Sequence, residues 1–411
     1  MKKLKTIFSP RKLIVWIFLI ILIVTVPETT KPAMSKTEAI ITMMSIDKIA
    51  ENIKVSTAVI TPSAEKTINY EVYSGTGETI GEAVENVSLS LGKSMGFAQC
   101  EIMAFGENIS ADGIMSSLDF MTRTRKVGRN AILINFSGDV EEFQQAVVNL
   151  NIEKSIPLED VINFDKRYIP SKDSNIHSFY KGYFSEISLG IMPKVQLLKE
   201  KTDNAIELEK GSTGVGSSTE PGSGTAGTNN KEYILNDGTV SVFKSGKKSL
   251  ELKPELMQNL NLLSNVEQEG TLKVENIDDK LYKNSNVVLN IHNKDLSFKP
   301  KFKNNKPIFD ISIGLSVLVE EVDEENPNKS FLKRNKDFLT DELIKKTKET
   351  VKTKAMEIIK YCQENQVDLI GVYENFYRKE YKNFKNYYEK MQEKYLDEIE
   401  YNISVKVSSS Y

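Results

Sequence analysis

The stretch Tyr73-Ser74-Gly75-Thr76-Gly77-Glu78-Thr79-Ile80-Gly81-Glu82-Ala83-Val84 decides the class of fold. Thr79-Ile80-Gly81-Glu82 has the Thr-x-x-Glu form of a capping box, in which hydroxyl and carboxylate each accept from a free amide of a helix's first turn. Behind it Ile80, Ala83, Val84, Val87 and Leu91 recur at helical spacing on one face, and Gly92 and Gly96 stop the helix. In front of it Ile68 to Tyr73 reads as a strand, and Ile53, Val55, Thr57 and Val59 alternate as in another. Further on come a strand around Cys100 (Phe97 to Phe105), a helix carrying Ile114, Leu118 and Met121, and a strand from Ala131 to Phe136. Strands and helices so mixed predict an α+β domain, which Ile156 to Val195 extends with more helix and extended chain.

The chain then changes character. Gly211 to Asn230 holds one valine and one alanine as its only apolar side chains besides proline, too little burial to offset ordering, and predicts a flexible linker. After it, Gly238 to Lys244 and Lys247 to Leu252 predict a hairpin around Ser245-Gly246, followed by a short helix from Pro254 to Leu263. Strands are expected at Gly270 to Val274, Asn286 to His292 and Ile308 to Val319. Thr340 can cap a long helix whose inner face carries Leu343, Ile344, Thr347, Val351, Ala355, Ile358, Ile359 and Cys362. A second helix is expected from Glu374 to Glu393, with Tyr377, Tyr381, Phe384 and Tyr388 as a packing stripe. Ile399, Tyr401, Ile403, Val405 and Val407 alternate in a closing strand.

At the other end, Lys2, Lys3, Lys5, Arg11 and Lys12 precede an apolar run from Leu13 to Val26. As a helix the run spans about 21 Å, against a hydrocarbon core of about 30 Å, so snorkelling lysines or local thinning must cover the difference. No good small-x-small cleavage site lies close behind it, and no cysteine follows to accept a lipid. These features predict an uncleaved signal anchor, its basic flank in the cytoplasm and everything after Pro27 facing outward.

Composition narrows the function. At 411 residues, 40% hydrophobic and 27% charged, the chain suits two or three domains and excludes a polytopic, collagen-like or wholly disordered protein. A net charge of −3 argues against a nucleic-acid binder. Two histidines and two cysteines leave almost nothing for a zinc site, and no metal or cofactor is expected. Cys100 and Cys362 read as buried free thiols, neither with a histidine partner. Gly75, Gly77 and Gly81 mimic a dinucleotide loop, but the third glycine falls one residue late, so they are expected to make a tight turn. No pair of carboxylates is fixed by a motif, so the residues supply no catalytic constellation. Arg123, Arg125, Lys126 and Arg129 form the strongest basic cluster after the amino terminus. Two readings of it stand: a solvated turn with structural ion pairs, or a surface for anionic lipid or an acidic partner.

From about Met44 to Phe136 the sequence resembles the Ger(x)C family, the C subunits of bacterial spore germinant receptors. The residues that carry this are Ile46-Asp47, the strand ending Thr61-Pro62, Ser74 to Thr79 with Glu82-Ala83, Phe105-Gly106-Glu107, Gly113-Ile114, Leu118-Asp119 and Arg123. Gly238 to Phe243 with Leu250 resembles the start of the family's middle domain. Asp368-Leu369-Ile370-Gly371, Arg378, Phe384, Tyr388 and the terminal Val405-x-Val407 strand resemble its end. Family members typically carry a lipid-accepting cysteine after the signal core; positions 27 to 40 hold none here, which leaves anchoring to the apolar segment.

The resemblance implies a non-enzymatic, outward-facing subunit of a membrane-bound nutrient receptor in the spore inner membrane, responding to small nutrients such as amino acids. It would work with an A-type and a polytopic B-type subunit, and touch lipid through residues 13–26. It also implies three mixed α/β domains with small sheets flanked by helices behind the anchor. The expected boundaries are 1–33 for the basic tip and anchor, 34–205 for the amino-terminal α+β domain, and 206–231 for the linker. A small middle domain follows over 232–284 and a carboxy-terminal α+β domain over 285–411. Arg123, Arg125 and Arg129 are the candidate partner-binding residues. The alternative reading is a membrane-tethered cell-wall hydrolase with an unrecognised site.

Overall fold

A computed structural model describes residues 38–62, 68–154, 174–199, 232–264, 270–323 and 338–410. The expected anchor and Gly211–Asn230 lie outside them, and no helix among the described residues is long and apolar enough to cross a membrane.

Most of the first half builds one sheet. Its strands are β1 (Glu38–Ile49), β2 (Asn52–Pro62) and β3 (Ile68–Gly77), joined antiparallel in that order. Helix α1 (Ile80–Leu91) leads through β4 (Ser94–Gly96) to β5 (Ile102–Phe105), which lies parallel to β1. Helices α2 (Glu107–Asp112) and α3 (Met115–Arg123) precede β6 (Ile132–Ser137), and α4 (Val140–Lys154) and α5 (Ile176–Tyr183) precede β7 (Leu189–Lys199). β5, β6 and β7 are parallel. A parallel centre is covered on both faces, so its strands read as unbroken apolar runs: every residue of Ile102–Phe105 and of Ile132–Phe136 is buried. Met103, Phe105 and Leu133 point into a core with α1 and α3, whereas Ile102, Ala104, Ile134 and Phe136 meet Phe143 and Val147 of α4 on the other face.

The local signals act as expected at the start of α1. The Thr79 hydroxyl accepts from the Glu82 amide at 3.2 Å, the Glu82 carboxylate accepts from the Glu78 amide at 2.9 Å, and Gly92 ends the helix at φ 68°. Gly75 and Gly77 differ from the tight turn expected of them. Gly75 lies within β3, where a Cβ would meet the Ala83 carbonyl and the Val87 amide of α1, both at 2.6 Å. It is glycine because helix and strand touch there backbone to backbone. Cys100 is likewise in the turn before β5 rather than in a strand. Both cysteines are free and buried, and burial pushes each thiol up to about 12.

After the undescribed 200–231, the chain returns to the same sheet. β8 (Glu232–Leu235) pairs antiparallel with β7, and so does β9 (Val240–Lys244), which turns at Ser245-Gly246 into β10 (Lys247–Leu252). The sheet order is β10-β9-β7-β6-β5-β1-β2-β3, with β4 on β1 and β8 on β7. Residues 232–252, where a middle domain was expected to begin, are thus hydrogen-bonded into the amino-terminal sheet.

The rest surrounds a second sheet. α6 (Pro254–Leu262) leads to β11 (Gly270–Ile277), β12 (Ser285–Lys303) and β13 (Lys306–Asp323). Then come α7 (Asp341–Asn365), α8 (Val372–Lys379), α9 (Tyr381–Met391) and β14 (Glu400–Ser409), giving the order β11-β12-β13-β14 with the last pair parallel. Phe309, Ile311, Ile313, Leu315 and Val317 of β13 all face one core, shared with Leu343, Val351, Ala355, Ile358 and Ile359 of α7. Thr340 caps α7 as expected, accepting from the Leu343 amide at 3.2 Å. The single helix expected from Glu374 to Glu393 is instead two, broken at Glu380. Tyr373 and Tyr388 touch edge to face at 4.9 Å; in one straight helix they would stand about 22 Å apart. Aromatic packing has folded the segment back on itself.

One tight spot explains two separated pieces of sequence. The buried Asp47 carboxylate accepts from the Ile109 and Lys48 amides at 2.9 and 2.8 Å, fastening α2 to β1. Burial pushes this carboxyl up, against the pull of those amides. Gly106 lies beneath it: a Cβ there would stand 2.2 Å from Asp47 Cγ. Gly106→Ala should therefore destabilise the full chain by about 1–3 kcal/mol. In an Asp47→Gly background, which also removes the Asp47 Cβ that would lie 2.5 Å away, the same change should cost clearly less, a coupling that urea titration of the four proteins in a double-mutant cycle measures.

Candidate functional site

Strand β9 is the element from which the site is built. Its side chains alternate, and each direction leads to a different core: Val240 and Val242 enter that of the second sheet, Phe243 that of the first. Phe243 meets Phe179 edge to face at 5.6 Å. Ser241, fully buried, donates to Asn135 Oδ1 at 2.7 Å. Asn135 Nδ2 in turn donates to the Phe105 carbonyl at 2.9 Å and to Ser110 Oγ at 3.0 Å. A buried network with its members satisfied fixes one register, because a slipped strand would strand those groups without partners.

Charges close the same joint from outside the core. Lys194 of β7 pairs with Glu107 of α2 at 3.0 Å and with Glu251 of β10 at 2.6 Å. Lys248 of β10 pairs with Glu251 at 2.5 Å and also bonds Glu107. Burial disfavours ionised Glu251, but the two ammonium groups outweigh it and hold the carboxyl below its ordinary value. Burial would depress Lys194 too; its two carboxylates outweigh that and raise it. Two contacts tie the hairpin onward to the second half: the Tyr361 hydroxyl donates to the Glu251 carbonyl at 3.2 Å, and Lys244 pairs with Glu393 at 2.9 Å. None of this was found from sequence, since the four charges lie on α2, β7 and β10 and only the folded sheet assembles them.

The basic turn sits at the far end of α3 from this joint. The helix begins against the hairpin tip, where the Ile114 amide donates to the Gly246 carbonyl at 3.0 Å, and ends at Arg123. Arg123 is exposed and pairs with Asp119 at 3.0 Å. Arg125 is half-buried, its guanidinium 5.5 Å from the centre of the Phe120 ring, and its buried Nε has no hydrogen-bond partner. Arg129 is exposed, and its carbonyl accepts from the His177 amide at 3.0 Å. Of the three candidate residues, Arg123 thus holds a structural ion pair, Arg125 stacks, and Arg129 presents its charge outward. Among the described residues no group of three or more His, Cys, Asp and Glu is placed to hold a metal ion.

The comparisons with known proteins divide the chain inside the first sheet, ahead of β9. Residues 36–197 match the family described as spore germination protein, N-terminal domain, and residues 238–409 match that described as spore germination B3/GerAC like, C-terminal. The chain belongs to the Ger(x)C family of spore germination proteins. No curated protein matches it. A crystal structure of the GerBC protein aligns with a TM-score of 0.48 and 15% identity, over 89% of this chain and 96% of that one.

The charged joint carries a pH dependence of definite sign. Glu251, depressed in the fold, contributes stability above the ordinary carboxylate value that is lost as pH falls through its folded value. Lys194, raised, contributes below the ordinary lysine value and loses that as pH rises through its folded value. Glu251→Gln should cost about 1–2 kcal/mol at neutral pH, and the difference should shrink as pH falls below the ordinary carboxylate value and through the depressed folded value. Urea midpoints of both proteins across an acid pH series check this.

Proposed function

We propose that this protein is the outward-facing, non-enzymatic C subunit of a membrane-bound spore germinant receptor complex. The observation that carries the reading is the succession of two germination-family regions along one chain, 36–197 and 238–409. Residues 13–26 anchor it in the spore inner membrane, with the basic residues before them in the cytoplasm. The A-type and polytopic B-type subunits are its partners. Its role is mechanical: it holds partners in register rather than transforming a substrate. The direct test is deletion in a sporulating strain followed by germination on a panel of nutrients. Loss of response to some nutrients, restored by the gene in trans, is expected; an unchanged response to every nutrient removes the reading.

Within that role, Arg123, Arg125 and Arg129 dock the amino-terminal domain on an acidic partner surface or on anionic lipid. The support is the exposed charge of Arg129, and the position of the turn at the end of a helix that abuts the joint. Arg125→Glu with Arg129→Glu should lower stability by no more than about 1 kcal/mol, from the lost ring contact. The variant should nonetheless fail to co-purify with its partner subunits, and wild-type assembly should weaken as salt rises. Normal assembly by a folded double variant takes the turn out of the interface.

The anchor has its own test. Intact-mass analysis of membrane-extracted protein should find Met1 to Val26 retained, apart from removal of Met1 itself. A new amino terminus between residues 27 and 40 would show cleavage instead.

A further inference from the structure

An outer strand of a sheet presents a row of backbone N–H and C=O groups that templates another chain unless something closes it. The outer strands here are β3 and β10 of the first sheet and β11 and β14 of the second. Three of them carry a closing device. The Thr76 carbonyl of β3 accepts from the Asn86 side chain of α1 at 2.7 Å. β10 shifts register between Lys248 and Leu250, and its Glu251 carbonyl accepts from Tyr361. β11 shifts register between Val274 and Ile277, with Asn276 at φ 57°.

β14 has none of these. Its ten residues pair with β13 in unbroken parallel register, from Glu400 opposite Ile308 to Ser409 opposite Val317, and include no proline. The Ser410 amide donates to the Val317 carbonyl, which fixes the direction of every backbone group along the strand. Even-numbered residues bond to β13, so Tyr401, Ile403, Val405 and Val407 turn their N–H and C=O away from it. Among the described residues no strand meets that edge. The side chains of these four residues lie on the core face. On the opposite face Asn402, Ser404 and Ser408 bond Asp310, Ser312 and Ser316 of β13. Glu400 and Lys406 lie on that same face, both exposed, and neither has an ion-pair partner among the described residues.

We propose that β14 is a dimerisation edge, pairing antiparallel with β14 of a second copy of this chain about a two-fold axis at Ile403. Antiparallel strands exchange hydrogen bonds between residues whose backbones face each other. With the axis at Ile403, that residue meets its own copy and Tyr401 meets the partner's Val405, all with backbones turned outward. Glu400 then stands opposite the partner's Lys406, at a pair without backbone bonds, where side chains come closest. Symmetry makes this contact twice. On the core face Ile403, half-buried in one copy, is covered by its counterpart, and the two apolar cores become continuous across the seam. Moving the axis to Asn402 or Ser404 keeps the backbone match but sets Glu400 against the partner's Ser404 or Ser408, and the charge match is lost. This edge is distinct from the basic turn, and the proposal does not rest on the receptor reading.

Sedimentation of the full chain in density-matched detergent micelles tests it. The protein should pass from monomer to dimer as its concentration rises through the micromolar range. Glu400→Lys or Lys406→Glu alone sets like charges face to face twice and should weaken the dimer about tenfold. The two together restore opposite charges and should return it to within about threefold of wild type. Both residues are exposed, so these variants keep the fold. Mild oxidation reads the register. A mixture of Glu400→Cys and Lys406→Cys chains should cross-link, and either chain alone should not, because like positions of a pair stand about 20 Å apart along the strands. Cys100 and Cys362 are buried and take no part. A chain that stays monomeric overturns the proposal and leaves the edge to a strand of another protein. A dimer indifferent to the charge reversals, or a mixture that cross-links no better than either chain alone, overturns it equally.

Discussion

Everything in this fold hangs on the alternation of one five-residue strand. Because consecutive side chains of a strand point to opposite faces, β9 can serve two cores at once only if its register is fixed. Val240 and Val242 are committed to one side and Phe243 to the other. A one-residue slip would present valine to the Phe179 pocket and phenylalanine to the core of the second sheet. The bond from Ser241 to Asn135 prevents that slip at the point where both strands are fully buried. The ion cluster of Glu107, Lys194, Lys248 and Glu251 then fastens the next strand. The two halves are therefore joined by packing and pairing rather than by a tether.

The residues that carry the family resemblance sit where geometry leaves no freedom. Asp47 and Gly106 are one lock seen at two places in the sequence. Asp368 is its counterpart in the second half. Its buried carboxylate accepts from the Val372 and Tyr373 amides at 2.8 and 2.7 Å and from the Tyr395 hydroxyl at 2.8 Å, while Gly371 beside it adopts φ 77°. Burial pushes this carboxyl up, and the donors pull against it. Both aspartates satisfy the free amides of a helix's first turn, the groups most exposed to loss if the helix end is buried bare. A pattern made of helix caps and close approaches records architecture, which is why it could be matched in the sequence without any catalytic motif.

How much was legible followed from how local each signal was. The capping box, the Thr340 cap, the apolar face of α7 and the Ser245-Gly246 turn are encoded within a few residues and were read directly. β12 was expected to stop at His292 but runs to Lys303. Its second part, Asn293 to Lys303, alternates Leu296, Phe298 and Phe302, packed against the core, with exposed polar and charged residues, a strand pattern that the expected boundary overlooked; it pairs antiparallel with β13 as far as Lys303 and Lys306. The break at Glu380 was hidden because a stripe spaced four, three and four fits one helix as well as two that fold together. The ion cluster was not legible at all. Lysines and glutamates are common on surfaces, and only the sheet order brings these together.

The pairing of β7 with β8 sets Lys199 opposite Glu232, so the chain leaves the sheet and re-enters it at neighbouring positions. Closing a loop between fixed neighbours depends only weakly on its length, each doubling costing about 0.6 kcal/mol. Selection on folding therefore exerts almost no grip on how long the segment 200–231 is, and related chains are free to lengthen or delete it. It is also the place to graft a fluorescent reporter or an affinity handle. Even a severed backbone there would leave both fragments clasped through β7, β8 and β9.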